Sequence, residues 1–251
     1  MRNNPLSGGV YFLRGFKLIF RPGIRGYMLV PLLVNITVFA ALIYLGAGQL
    51  QSLLDATLPE WLEWLKWLLL PIFFLAALLL VFFTFNLVAN LISAPFNSLL
   101  AEAVERQLTG KRLPEGGWRK LINDLGKTLV SELRKLGYIV VRAIPILVLM
   151  PFPLVNVAAS ILWILFSAWM LTVTYADYPM ANHGIGFPEQ RGLLARRRML
   201  SLGFGASVMA ALAVPVLNFF VIPCAVAGAT AMWVEELSKA ADASTDGEEI
   251  E

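Results

Sequence analysis

The residues best equipped for chemistry lie in one short stretch, Arg21-Pro22-Gly23-Ile24-Arg25-Gly26. Pro22 can pre-set the first turn of a helix, and Gly23 has no side chain to crowd its amide. The first N–H groups of a helix lack internal partners and lie at the positive end of its dipole. Flanked by two guanidiniums, such donors make a seat for an anion at a membrane surface. The plainer alternative is a routine membrane entry, because Lys and Arg gather on the cytoplasmic side of apolar runs.

Other chemistries find little support. Cys224 is the single cysteine, so no intrachain disulfide can form, and His183, the single histidine, is distant in sequence, which argues against a His/Cys metal site. Asp177 and His183 fall in a polar connection, Tyr175 to Gly184, and could serve acid–base chemistry. The reading preferred here makes them capping and turn residues that fix a helix exit against cytoplasmic helices. With no nucleophile–base pair, metal cluster or nucleotide loop in sight, neither an enzyme nor a cofactor is expected. Nucleic-acid binding is not expected either: Arg196-Arg197-Arg198 lies between apolar runs, where cytoplasmic retention explains it.

The elements that would position the basic stretch follow from composition. The chain has 251 residues, 58% of them hydrophobic and only 15% charged, with a mean hydropathy of +0.71. That exceeds the apolar share of a soluble domain, roughly 45–50%. A multi-pass membrane protein is expected. Residues 6–20 place Arg14, Lys17 and Arg21 on one helical face and Phe12, Leu13, Phe16, Ile19 and Phe20 on the other, which predicts an interfacial helix. Two membrane spans are predicted at about 27–50 and 68–92, separated by an acidic, Trp-rich turn. The second continues as a helix whose apolar stripe runs through Phe96, Leu99, Leu100, Ala103, Val104 and Leu108, with Glu102, Glu105 and Arg106 opposite. Glu102 and Arg106 are i,i+4 neighbours able to pair. A mixed-charge amphipathic helix from Trp118 to Leu136 follows, and a second short helix, Pro188 to Leu200, carries arginines.

Two further apolar regions, about 138–174 and 202–234, are cut by prolines at 145, 151 and 153 and at 215 and 223. The arm before each break, about 13 residues, would reach only about 20 Å as a helix, against a hydrocarbon core of about 30 Å. Pro153-Leu154-Val155-Asn156 resembles Pro215-Val216-Leu217-Asn218, which suggests a repeated hairpin with Pro-x-x-Asn at its tip. The alternative makes the second arms plain spans. Hairpins would keep the arginines of 175–203 on the same side as the basic N-terminal arm, whereas four spans would export them, so the positive-inside rule favours hairpins. The expected fold is thus an all-α integral membrane protein with two long transmembrane helices, two Pro-broken re-entrant (hemi-penetrating) hairpins and amphipathic cytoplasmic helices. It is expected to form one α-helical membrane domain over 1–238, with an acidic, disordered tail over 239–251.

Four blocks in this order resemble the CysZ sulfate permease family, within the etoposide-induced-protein-like superfamily. They are Pro22-Gly23-Ile24-Arg25, Pro31-Leu32-Leu33-Val34-Asn35, Ala94 to Glu102, and Tyr175 to Gly184 with its Asp-Tyr-Pro core. The resemblance covers roughly residues 5–238. It implies sulfate uptake across the bacterial inner membrane for cysteine biosynthesis, channel-like or proton-dependent, by a homo-oligomer in the lipid bilayer. It also implies sulfate binding at Gly23, Ile24 and Arg25, with Gly26 standing where many members have a second arginine; Arg21 or backbone amides could substitute. Asn90, Asn97, Glu102 and Arg106 are candidates for a polar pathway lining. Their alternative role is to hydrogen-bond helix to helix. The competing function is a non-conducting, membrane-shaping scaffold, which needs no anion seat.

Overall fold

The computed structural model describes residues 3–27, 96–111 and 125–239, with isolated positions among 29–52 and 71–75. Among the described residues every regular element is helical. The chain divides into two compact units, Met1–Arg25 with Asn97–Glu251, and Gly26–Phe96. In the Gly26–Phe96 unit the described positions are helical, and Leu29, Val30, Leu33, Tyr44, Leu45, Ile72 and Leu75 are exposed apolar side chains. Most of the span expected at 68–92, the acidic turn before it and Asn90 lie outside the described residues, as does the 240–251 part of the acidic tail.

In the first unit, α1 (Pro5–Ile19) opens where Asn4 accepts a hydrogen bond from Leu6 N–H and Pro5 takes a position needing no donor. Its buried side is Gly8, Tyr11, Phe12, Gly15, Leu18 and Ile19, while Leu6, Leu13 and Phe20 are exposed. The expected two-faced interfacial helix is therefore corrected: Phe12 and Ile19 belong to the protein core. Glycine permits this. A Cβ on Gly15 would stand 2.9 Å from Gly228 N and collide with the Cys224 carbonyl, so only a bare backbone lets α1 settle against the helix that carries Cys224.

Helix α2 spans 96–109 and stops at Gly110, whose φ of +71° takes the chain out of the helix. Leu100, Ala103 and Val104 are buried as the stripe predicts, but so are Ala101, outside it, and Glu105 one turn further on. Helix α3 (Leu125–Leu149) runs unbroken from the mixed-charge segment into the apolar one, so the expected boundary near 137 is absent. A single Gly137 costs a helix only about 1 kcal/mol, which continuity on both sides outweighs. Turns at 150–155 reverse the chain, and Asn156 Nδ2 donates to the Met150 carbonyl. This satisfies an amide that would be costly at membrane depth.

Helix α4 (Asn156–Asn182) absorbs most of the polar connection expected at 175–184; the turn itself is confined to His183 and Gly184, with φ +76° at Gly184. The short basic helix is also corrected. It splits into α5 (Phe187–Arg196) and α6 (Arg198–Leu212) at Arg197, whose φ and ψ of −120° and 48° are not helical. Helix α7 (Pro215–Met232) starts on its proline and ends in one π-helical turn, Trp233–Leu237. The segments α4 and Phe220–Leu237 are long and apolar enough to cross a bilayer. Only 22% of the apolar window of α4 is buried, against 72% for Phe220–Leu237, so α4 offers its surface outward and the other is enclosed by protein.

Candidate anion site

The basic stretch begins where α1 stops. Arg21 N–H donates to the Leu18 carbonyl at 3.0 Å, and the Arg21 carbonyl accepts Ile24 N–H at 3.1 Å and Arg25 N–H at 3.3 Å. With proline second, Gly23 third at φ +88° and the bond back from Ile24, Arg21–Ile24 has the form of a type II turn. Ile24 is 1% exposed and anchors the turn, whereas Arg21, Gly23, Arg25 and Gly26 are exposed. Helical backbone resumes at Arg25. The amides of Ile24 and Arg25 are thus spent on the turn. What it presents to an anion is the Arg25 guanidinium, which makes no ion pair among the described residues, beside the open Gly23 backbone.

The other candidate residues fall on α2. Asn97 is buried and donates through Nδ2 to Tyr178 Oη at 3.4 Å, while Glu102 is half-buried and Arg106 exposed, with no ion pair joining them. The buried acid is Glu105, whose Oε1 lies 2.8 Å from His183 Nε2. Ser98 Oγ donates to Asn182 Oδ1 at 2.6 Å, and Asn182 Nδ2 returns a bond to the Ser98 carbonyl at 3.0 Å. Asp177 takes Lys135 Nζ at 2.6 Å and Gln190 Nε2 at 2.9 Å. Asp177 and His183 therefore serve different partners. They act as ties between the end of α4 and its neighbours, in line with the anchoring role preferred for them.

One polar cluster escaped the sequence reading because it depends on the π turn. Glu235 and Glu236 are adjacent, yet Tyr11 Oη donates to Glu235 Oε2 at 3.1 Å and to Glu236 Oε1 at 3.4 Å. Arg14 Nη1 reaches Glu235 at 2.6 Å and Arg197 Nη1 reaches Glu236 at 3.4 Å. Burial, then the two carboxylate charges, push the Tyr11 phenol well above its ordinary value, so it remains a donor. The signal in the sequence was slight: Tyr11 and Arg14 share a helix face, and the two acids close an otherwise apolar run.

These features define a class: an all-helical membrane protein whose outward apolar helices stand on charged ties, with an exposed arginine at a glycine-dependent turn. The chain belongs to the family described as Sulfate transporter CysZ/Etoposide-induced protein 2.4, which it matches over residues 11–223. It is 44% identical over 235 residues to proteins named Sulfate transporter CysZ from Pseudomonas fluorescens (strain Pf0-1) and Pseudomonas syringae pv. tomato. The match covers 92% of this chain and 94% and 93% of those proteins. The Pseudomonas aeruginosa PAO1 protein of the same name is also 44% identical, with 96% of its length covered.

Proposed function

We infer that this chain is a sulfate transporter of the bacterial inner membrane that serves cysteine biosynthesis, and not an enzyme. One observation carries the reading: an exposed Arg25, held at a turn that needs Gly23, in a chain 44% identical over 92% of its length to named sulfate transporters. Sulfate is a dianion with four acceptor oxygens, which suits a planar guanidinium. The binding seat proposed is Gly23, Ile24, Arg25 and Gly26, with Ile24 as the anchor. Asn90, Asn97, Glu102 and Arg106 are proposed to line the pathway, and residues 1–238 to act as one transport domain within a homo-oligomer.

The architecture proposed has spans at 27–50 and 68–92 and two re-entrant hairpins, α3–α4 and α6–α7. Two things support the hairpins. The α3–α4 turn is apolar, with Phe152 57% and Leu154 100% exposed, a surface unsuited to water. Each pair is closed at its other end by charge: Lys135–Asp177 for α3–α4 and Arg197–Glu236 for α6–α7. A half-inserted apolar tip also fits a membrane-shaping scaffold, the second reading.

Radiolabelled sulfate binding and flux into liposomes, for wild type and Arg25→Ala, test the assignment. Flux in the wild type with binding lost in the variant is expected. Wild-type protein that conducts nothing would favour the scaffold, and unchanged binding in the variant would remove the seat. Labelling of a cysteine at position 192 only from the cytoplasmic side is the result expected of the hairpins.

A further inference from the structure

Apart from Arg25, three arginines converge on a cavity of about 400 Å³ between α3 and α5. Arg134, Gly137, Tyr138, Val141 and Arg142 line it from one face of α3, and Phe187, Pro188 and Arg191 from α5. Tyr138 organises the site. Its ring meets Phe187 edge-on at 5.6 Å, and the Arg142 and Arg191 guanidinium carbons lie 5.4 and 5.2 Å from its centroid. Two guanidiniums on one ring are held by cation–π attraction yet repel each other. The lining contains no carboxylate, and none of the three arginines makes an ion pair among the described residues. Such a site is complementary to a tetrahedral oxyanion, which can bridge guanidinium forks.

What surrounds the cavity indicates which oxyanion. Val140 and Val141 beside Arg142, and Ile144, Leu147 and Val148 beyond it, are each at least 46% open on α3, and this apolar strip leads from the cavity to the bare tip at Phe152 and Leu154. A free ion gains nothing from such a strip, whereas acyl chains do. We propose that the arginine cavity between α3 and α5 holds the phosphate of an anionic phospholipid whose chains lie along the outer face of α3. Arg142 then stands at headgroup level, and the lipid fixes the depth at which α3 enters the bilayer. The inference rests on membrane insertion alone and not on the sulfate seat, since Arg25 plays no part in it.

Native mass spectrometry of the full chain in detergent, with phosphatidylglycerol or phosphatidylcholine added, tests this. Phosphatidylglycerol should be retained at least about tenfold better by the wild type. Arg142→Gln with Arg191→Gln should abolish the preference, and Arg142→Lys with Arg191→Lys should keep part of it, while Arg25-dependent sulfate binding is unchanged in both. Equal retention of the two lipids by the wild type overturns the proposal, whatever the variants do. So does an undiminished preference in the folded glutamine variant. Displacement of the lipid by millimolar sodium sulfate would also overturn it, assigning the cavity to the free ion.

Discussion

Lys135 Nζ lies 2.6 Å from Asp177 Oδ2 and joins α3 to α4, while Gln190 of α5 donates to the other oxygen of the same carboxylate. Three helices are thus held at one carboxylate, and the lysine is only 8% exposed. Lys135→Met should destabilise the protein by about 3 kcal/mol, because it leaves Asp177 partly buried without its cation. Lys135→Met combined with Asp177→Leu should recover only part of the loss, because it also leaves the buried Gln190 amide without its acceptor. Thermal midpoints in detergent check both, and a double variant no better than the single would show that charge burial is not the cause.

The cluster at the π turn makes a pH-dependent prediction. The Tyr11 phenol is raised by burial and by Glu235 and Glu236, so its folded value lies above its unfolded value of about 10. Its contribution to stability is then fully present below about pH 10 and is lost as the pH climbs toward the folded value. Tyr11→Phe should lower stability by about 1–2 kcal/mol at pH 8, since buried Glu236 loses a donor. The gap between wild type and variant should narrow in measurements above pH 10. A gap that widened there would contradict the assigned role.

Close packing of α1 on α7 yields a third expectation. Gly15→Ala would push a methyl into the Cys224 carbonyl and toward Gly228 N, so a cost of about 1–3 kcal/mol is expected. Gly192 in α5 is the control, because a Cβ there meets nothing within 4 Å. Gly192→Ala should leave the protein unchanged or stabilise it by about 0.4–1 kcal/mol. Melting curves showing no difference between the two variants would rule out the tight contact.

How far each feature was legible depended on whether its cause was local. Pro22-Gly23, read as a helix start with free amides, instead closes the turn Arg21–Ile24, with helical backbone resuming only at Arg25, whereas helix α2 could be read from its apolar spacing. The inward placement of Glu105 could not, since its partner His183 is 78 residues away and its neighbours Glu102 and Arg106 argue for solvent. The burial of α1 was hidden for the same reason. Its basic residues signal an interface, while the glycines that let it sink into the core are informative only once Cys224 and Gly228 are seen opposite Gly15. The break at Arg197 and the π turn at Trp233–Leu237 are likewise set by their surroundings, with Arg197 held toward Glu236.

The sulfate seat gives a prediction that separates backbone from charge. Gly23 stands at φ +88° with open space where a Cβ would be, so a substitution there strains the turn without crowding any neighbour. Alanine at such a φ costs about 1–2 kcal/mol, whereas asparagine tolerates the left-handed region better. If the turn is what holds Arg25 in place, sulfate affinity should fall by about tenfold in Gly23→Ala, at about 1.4 kcal/mol per decade, and by less in Gly23→Asn. Arg25→Lys should also weaken binding, since an ammonium keeps the charge but loses the fork. Equilibrium binding of radiolabelled sulfate to the three folded variants gives the order. If alanine and asparagine bind as tightly as glycine while Arg25→Lys does not, the guanidinium acts alone and the turn merely connects two helices. If Gly23→Ala weakens binding and Arg25→Lys does not, the backbone is the donor and the side chain supplies only its charge.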